Sequence, residues 1–170
     1  MSAAVDPTLD RMLRHMAWAN QSVLSCLDSI PAGAFALHAA GDPGGTVGSV
    51  TAHLVRSAGF YCFRLGVVID PVNIQDAEPS LMLELRAACA TADALLRAQA
   101  GFPEALRHYR RQDGTEVSHF RSTILAQAIH HATEHRAQIA DILTEHGIRA
   151  IDLDDLDLWA FGTFEASAQG

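Results

Sequence analysis

The sequence predicts an all-α fold: a four-helix bundle with one long crossover, a small β-hairpin between the third and fourth helices, and a short C-terminal helix. Three observations support this fold class. Four long segments repeat apolar residues at helical spacing, prolines and glycines separate these segments, and an Asp-Gly pair lies between the third and the fourth. With 170 residues, of which 49% are hydrophobic, the chain is long enough to bury a core. We therefore expect residues 1–170 to form a single domain.

Capping residues, prolines and glycines set the expected limits of the four helices. Asp6 followed by Pro7 is typical of a helix start, and Thr46 is a good N-cap after the break GDPGG. Gly101 and Gly147 fit C-terminal caps. The helices are expected to run from Asp6-Pro7 to Ile30-Pro31, from Thr46 to about Val68, from Pro79-Ser80 to Gly101, and from near Ser118 to Gly147.

Two segments outside the long helices also carry local signals. Asp113-Gly114 is a strong signal for a two-residue hairpin turn, so the connection forms either a small β-hairpin or an extended crossover. The tail DLDDLDLWAFGTF predicts a short helix or a packed arm. Four of its apolar side chains are expected to pack on the bundle: Leu156, Leu158, Trp159 and Phe161.

Charge and apolar patterning restrict the possible partners. The net charge is −8, and the 12 basic residues are scattered among 20 acidic ones, which argues against a nucleic-acid partner. The N-terminal residues lack the pattern of a secretion signal, and the longest apolar stretch is too short and too charged to span a bilayer. We therefore expect a cytoplasmic protein with no membrane partner.

The three cysteines lie far apart in apolar helical patterns, which predicts reduced, buried thiols rather than a disulfide framework. A thiolate nucleophile is the alternative, although none of the three has a neighbouring cation or a CxxC spacing. The cysteines are Cys26, Cys62 and Cys89.

Three of the nine histidines lie within six positions of the stretch AIHHATEHRAQ. On a helical wheel, His131 and His135 lie one turn apart on the apolar side, whereas His130 lies on the polar side. The i, i+4 spacing points both imidazoles in one direction, as a metal site requires, and hydrogen bonding within the core is the alternative. A third ligand must come from another helix, where His53 and His15 are the candidates. The remaining histidines are interpreted as solvated: His38, His108, His119 and His146.

Four short motifs occur in a characteristic order along the chain. They are Trp18-Ala19-Asn20, His53 in VTAHLV, HATEHRAQ from His131 to Gln138, and DLDLWAF in the tail. In these motifs the chain resembles the DinB family, and the resemblance covers nearly its whole length, including the DG hairpin. It implies a four-helix bundle in which His53, His131 and His135 hold a divalent metal and leave positions open for water. It also implies a homodimer, which the sequence itself does not show.

The resemblance implies a metal-dependent enzyme acting on a small molecule, with Zn²⁺ or Ni²⁺ as the favoured metal. A divalent metal held by three neutral imidazoles keeps its full charge, so it lowers the pKa of bound water or activates a substrate thiolate. Our leading hypothesis is a transferase that joins a low-molecular-weight thiol to electrophiles, and a hydrolase is the related possibility. A second hypothesis is a non-catalytic, stress-associated bundle that binds a metal or a partner. A third is a structural bundle without metal.

The sequence nominates only weak candidates for catalytic groups near the histidines. Gln138 lies close to His131 on the helical wheel and is expected to border the site. Glu134 is either a catalytic residue or a solvated one. Arg136 lies away from the ligand direction, which favours a structural or interface role, and Tyr61 lines either the pocket or the core.

Overall fold

A computed structural model describes residues 6–40, 45–111 and 113–168. Within these residues it has five α-helices and one two-stranded antiparallel sheet, which confirms the predicted fold class. The helices are α1 (Pro7–Leu27), α2 (Val47–Arg64), α3 (Met82–Gln99), α4 (Arg121–Glu145) and α5 (Leu158–Ser167). The strands are β1 (Leu106–Arg110) and β2 (Glu116–Phe120). In this part of the chain no helix is long and apolar enough to cross a membrane.

The four long helices pack as a bundle in which consecutive helices are not always neighbours. Helix α2 packs against α3 and α4, and α1 packs against the same two helices. Helices α1 and α2 therefore lie diagonally across the bundle, as do α3 and α4. The connection from α1 to α2 is the long crossover, and the hairpin of β1 and β2 spans the other diagonal.

The predicted caps at the helix starts are confirmed. The Asp6 carboxylate accepts hydrogen bonds from the backbone N–H groups of Thr8 and Leu9 at 2.8 and 2.9 Å. The Thr46 hydroxyl accepts from the Ser49 N–H at 3.0 Å, and the Ser49 hydroxyl accepts from the Thr46 N–H at 2.8 Å, which forms a capping box. Each cap satisfies N–H groups that have no partner within the helix. Residues 41–44, most of the break predicted before α2, lie outside the described residues.

Three predicted helix limits were wrong. Helix α1 ends at Leu27 rather than Ile30. At residues 28–30, three tight backbone turns replace the helical hydrogen bonds. Helix α2 ends at Arg64 instead of Val68, because Gly66 takes the left-handed conformation (φ +79°) that closes a helix. Helix α4 begins at Arg121 and not near Ser118, because Ser118 belongs to β2.

The predicted hairpin is confirmed, but its turn is longer than the two residues expected. The Arg111 N–H donates to the Thr115 carbonyl, so the turn between them has three residues. Leu106 faces Phe120 and Arg110 faces Glu116 in the antiparallel register. Gly114 has a φ of +85°, a conformation that favours glycine, at the tip of the turn. The other predicted conformation, an extended crossover without pairing, is therefore wrong.

The C-terminal segment packs on α1 through one side of α5 only. Phe161 is buried, and its ring lies 5.4 Å from that of Trp18 between centroids. Leu156 is partly buried, as predicted. Leu158 and Trp159 are exposed, Trp159 to 85%, so the expectation that they pack on the bundle was wrong. Trp159 lies two residues before Phe161, about 160° from it around the helix, which turns its ring toward solvent. Leu158 is the first residue of α5.

All three cysteines are free, as predicted. Cys62 and Cys89 are buried, and burial raises the pKa of the Cys62 thiol to about 11 and that of the Cys89 thiol well above its ordinary value. Cys26 is only partly buried, so the prediction of burial was wrong for this residue. Burial also raises the Cys26 pKa, and a raised pKa disfavours the nucleophilic thiolate.

A buried polar network crosses the middle of the bundle. The Arg136 guanidinium of α4 donates to the Asn20 side-chain oxygen of α1 at 2.6 Å, and the Asn20 amide donates to the Asp93 carboxylate of α3 at 3.0 Å. The Cys89 thiol also donates to Asp93, at 3.4 Å. Burial raises the Asp93 pKa to about 6 and lowers the Arg136 pKa to about 10, so the guanidinium stays charged at neutral pH. The buried position of Arg136 agrees with the structural role expected for it.

Replacing the central residue of this network is expected to destabilise the bundle strongly. Asn20→Ala removes one hydrogen bond from a buried guanidinium and one from a buried carboxylate, and groups left unpaired in this way cost about 2–4 kcal/mol in total. Urea denaturation gives the free energy of unfolding. The control is Ser22→Ala on the same helix, which removes a hydrogen bond to the Trp18 carbonyl at a partly buried site. Equal losses in the two variants would show that the network does not hold the helices together.

Candidate metal centre

Three histidines from two helices converge on one point of the bundle. His53 comes from α2, and His131 and His135 come from α4. The Nε2 atom of His131 lies 3.2 Å from that of His53 and 3.1 Å from that of His135. One ring nitrogen from each of the three lies within 4.8 Å of the others, and all three residues are partly buried. The structure thus brings together the three histidines that the resemblance implied.

Helical geometry accounts for this convergence. His131 and His135 are four residues apart, so their rings project from the same side of α4 with centroids 4.3 Å apart. His53 lies on the stripe of α2 that includes the buried residues Val50 and Ser57. Phe60, three residues beyond Ser57, is 49% exposed, so the buried stripe does not extend to it.

The other histidines lie away from the cluster. His130 is exposed, as predicted from its position on the wheel. His15, the second candidate for a third ligand, instead has its Nε2 atom 2.7 Å from the Leu156 carbonyl oxygen, and it packs against Phe161. Three histidines interpreted as solvated are exposed: His38, His108 and His146. That interpretation was wrong for His119, which is partly buried and lies 2.9 Å from the Tyr109 hydroxyl.

The surroundings of His135 fix which of its nitrogens faces the cluster. Its Nδ1 atom lies 2.9 Å from the Gln138 side-chain oxygen, an acceptor, so Nδ1 carries the proton and donates it. The Nε2 atom then offers a lone pair toward His131. Gln138 therefore borders the cluster, but it contacts His135 rather than His131. Such a partner for the distal nitrogen is typical of histidines that bind metals.

Burial disfavours the charged form of two imidazoles in the cluster, those of His131 and His53. It lowers the pKa of His131 to about 4, and positive charge on His135, His53 and Arg64 adds to this effect. Burial also lowers the pKa of His53, with contributions from His135 and Arg56. Neutral imidazoles have a free lone pair, which is the form that coordinates cations.

The separations between the nitrogens fit a single divalent ion. With metal–nitrogen bonds of roughly 2.0–2.1 Å, two ligand nitrogens lie about 3.3 Å apart in a tetrahedral site and about 2.9 Å apart in an octahedral one. The two measured separations of 3.2 and 3.1 Å lie between these values. Imidazole nitrogen also suits several first-row metals. The cluster is therefore compatible with a metal ion in both its donor chemistry and its dimensions.

A cavity of about 300 Å³ opens beside the cluster. Tyr61 separates the two, since its ring lines the cavity and also meets the His131 ring edge-on, with centroids 5.6 Å apart. Tyr61 is only 6% exposed and also lines the cavity, so it is part of both the core and the pocket. The hairpin supplies Tyr109, Arg111 and His119 to the far wall. The sequence carries no signal for this wall, because helical spacing does not predict where a hairpin places its side chains.

The two candidate catalytic residues occupy different environments. Gln138 is partly buried against His135, whereas Glu134 is exposed on α4. The Glu134 charge does reach the pocket, because it contributes to raising the pKa of Tyr61, for which burial is the main cause. Among the described residues, no carboxylate forms a hydrogen bond with the three imidazoles.

The low pKa of His131 can be measured directly in metal-free protein. The imidazole is expected to titrate near pH 4, well below its ordinary value of 6.5, because burial and the neighbouring positive groups disfavour the charged ring. The measurement is the chemical shift of the ring C2 proton against pH, assigned by its absence in His131→Gln. Urea-unfolded protein serves as the control and should titrate near the ordinary value. A midpoint at pH 6 or above in the folded protein would contradict a buried, uncharged His131 ring.

Comparison with known proteins gave a match to a family model. A family model described as the DinB family matches residues 1–161 of the chain. Neither the curated proteins nor the solved structures that were searched gave a match.

Proposed function

Because the chain belongs to the DinB family, we propose that it is a metal-dependent enzyme that transfers a low-molecular-weight thiol to an electrophilic small molecule. The metal ligands in this proposal are His53, His131 and His135, and the metal is Zn²⁺ or Ni²⁺. The observation that carries the proposal is the meeting of three Nε2 atoms at 3.1 and 3.2 Å spacing beside a cavity. Fold alone does not determine a reaction, so the proposed activity is based on the three-histidine cluster and the cavity beside it.

The cluster suits the activation of a thiol. When bound, a divalent ion at three neutral imidazoles lowers the pKa of a coordinated thiol or water, because the ligands do not offset its charge. The low pKa of His131 keeps a lone pair available for binding at neutral pH. Gln138 acts as a positioning residue, since its hydrogen bond orients the His135 ring.

The lack of a nearby base favours thiol transfer over hydrolysis. Hydrolysis commonly gains about 10²–10⁴-fold from a general base placed at the attacking water. In the part of the chain that the structure describes, Glu134 is the candidate base on α4 near the cluster, and it is exposed and without a hydrogen bond to the imidazoles. A thiol needs less help, since the metal alone stabilises its thiolate. Gln138 has no titratable proton and so does not serve as the base.

A non-catalytic bundle that binds a metal or a partner is the second candidate function. The same absence of a contacting carboxylate among the described residues supports it, because a purely binding site needs no base. The cavity beside His131 favours an enzymatic function instead. A site that only binds a metal does not need a cavity for a second molecule next to its ligands.

Metal content tests the proposed ligands first. Wild-type protein is expected to contain about one metal ion per chain, because three convergent nitrogens complete the site. Each of His53→Ala, His131→Ala and His135→Ala is expected to lower the content at least tenfold, as measured by elemental analysis. His130→Ala is the matched control, since His130 is an exposed histidine on the same helix. Metal retained in all three variants, or lost equally in the control, would contradict the assignment.

Turnover then separates the candidate functions. Metal-loaded protein is expected to conjugate a low-molecular-weight thiol to an activated electrophile such as 1-chloro-2,4-dinitrobenzene, and His131→Ala is expected to lose this activity. Nitrophenyl esters are tested in parallel. Faster cleavage of esters than conjugation of thiol would favour the hydrolase. Protein that holds its metal and shows neither activity would favour the binding function.

A further inference from the structure

The side chains that line the cavity beside the cluster indicate what kind of group it binds. Its wall includes Arg64 from the end of α2, Gln127 from α4, and three side chains of the hairpin region, Tyr109, Arg111 and His119. We propose that this cavity binds the anionic group of the substrate, a carboxylate or a phosphate, and so selects small organic anions for reaction at the three-histidine centre. The inference rests on the proposed function only in naming that centre as the place of reaction.

The cavity and the cluster lie along the same groove between α2 and α4. Tyr61 is two turns beyond His53 on α2, and Gln127 is one turn before His131 on α4. These turns correspond to roughly 12 and 6 Å along the helix axes. The Tyr61 ring contacts both the cavity and the His131 ring. The cavity therefore begins about one helical turn from His131, and a molecule held in it extends past the Tyr61 ring to reach the cluster.

The lining of the cavity carries positive charge although the chain as a whole is acidic, and the Glu134 carboxylate acts on Tyr61 from outside that lining. Two arginines line it and no carboxylate does, whereas the net charge of the chain is −8. Among the described residues, neither Arg64 nor Arg111 has a carboxylate within ion-pair distance. The Arg64 charge reaches far enough to contribute to lowering the pKa of His131. Two arginines without carboxylate partners at one cavity constitute an attractive site for an anion.

Aromatic rings hold Arg64 in a conformation suited to binding. Its guanidinium carbon lies 5.2 Å from the centre of the Tyr61 ring and 5.4 Å from that of the Tyr109 ring. The Arg64 side chain is also within hydrogen-bonding reach of the Tyr61 side chain. Contacts with ring faces leave the remaining in-plane N–H groups of the guanidinium available to a carboxylate or phosphate. Tyr109 is in turn fixed by the His119 ring, which stacks on it and lies within hydrogen-bond distance of its hydroxyl. The site is therefore organised before the substrate binds.

The dimensions and the walls define the class of substrate. A volume of about 300 Å³ suits a small ligand, and tyrosine rings favour a flat, unsaturated body. The chemistry indicated is an aryl or unsaturated carboxylate, or the corresponding phosphate. Such a molecule places its charge at Arg64 and its electrophilic atom toward His131.

Binding of simple probes to metal-free protein tests the inference without relying on turnover. Benzoate and phenyl phosphate carry the two possible anions, and benzamide is the neutral control of nearly equal shape. Isothermal titration is expected to give at least tenfold tighter binding of one or both anions than of benzamide. The stronger of the two anions identifies the preferred group. Equal binding of benzamide and both anions would overturn the proposal.

Variants assign the binding to the arginines. Arg64→Gln is expected to weaken anion binding at least tenfold, and Arg64→Lys less, because lysine keeps the charge but not the bidentate geometry. Arg149→Gln is the matched control, since Arg149 is exposed beyond the opposite end of α4, and it is expected to change binding less than twofold. If Arg64→Gln does not fold, Arg111→Gln in the exposed hairpin replaces it, with an expected loss of threefold or more. Unchanged anion binding in the folded arginine variants would overturn the proposal.

Metal content measured in the same preparations separates this inference from the proposed function. Arg64→Gln is expected to bind as much metal as the wild type, because Arg64 does not contact the imidazoles. A wild-type protein without metal that still binds benzoate would contradict the proposed function and leave the anion site supported.

Discussion

The position of α4 depends on the buried hydrogen bonds that join Arg136, Asn20 and Asp93. They connect α4 to α1 and α1 to α3, and the guanidinium and the carboxylate are too costly to bury without partners. Arg136 directly follows His135, so its anchorage on one side of α4 sets the rotation that turns His135 and His131 toward α2. The network in the core and the cluster at its edge are thus two sides of the same helix.

The partly buried position of the cluster changes the protonation of its histidines. Desolvation lowers the pKa of His131 and His53, which leaves lone pairs in a partly buried position with few donors to satisfy them. The Nε2 atom of His131 has either one proton or one lone pair for its two short contacts, so at most one of them is a well-directed hydrogen bond and the two partners are in conflict. A cation shared by the three nitrogens removes this conflict. Gln138 prepares His135 for that cation by holding its proton on the other nitrogen.

Sequence reasoning predicted the elements with a regular period and missed those that depend on contacts between distant segments. The i, i+4 spacing of His131 and His135 and the Asp-Gly turn carried enough information to be identified. The choice of His53 over His15 came only from the family resemblance, because both lie on helical stripes of similar character. The cavity wall of Tyr109 and His119 carried no signal, since its position depends on where the hairpin lies against the end of α2. Trp159 was misplaced because the apolar tail has no periodicity to show which side of α5 faces the bundle.

The central claim is that three imidazoles share one metal ion, and X-ray absorption at the metal edge tests it most directly. For protein purified with its metal, the account predicts scattering from about three imidazole nitrogens at roughly 2.0–2.1 Å, together with oxygen ligands such as water in the remaining positions. The arrangement of His53, His131 and His135 predicts no sulfur among the protein ligands, because the three cysteines lie elsewhere. A spectrum with fewer than two imidazoles, or with cysteine sulfur at the metal in the absence of added thiol, would contradict the account.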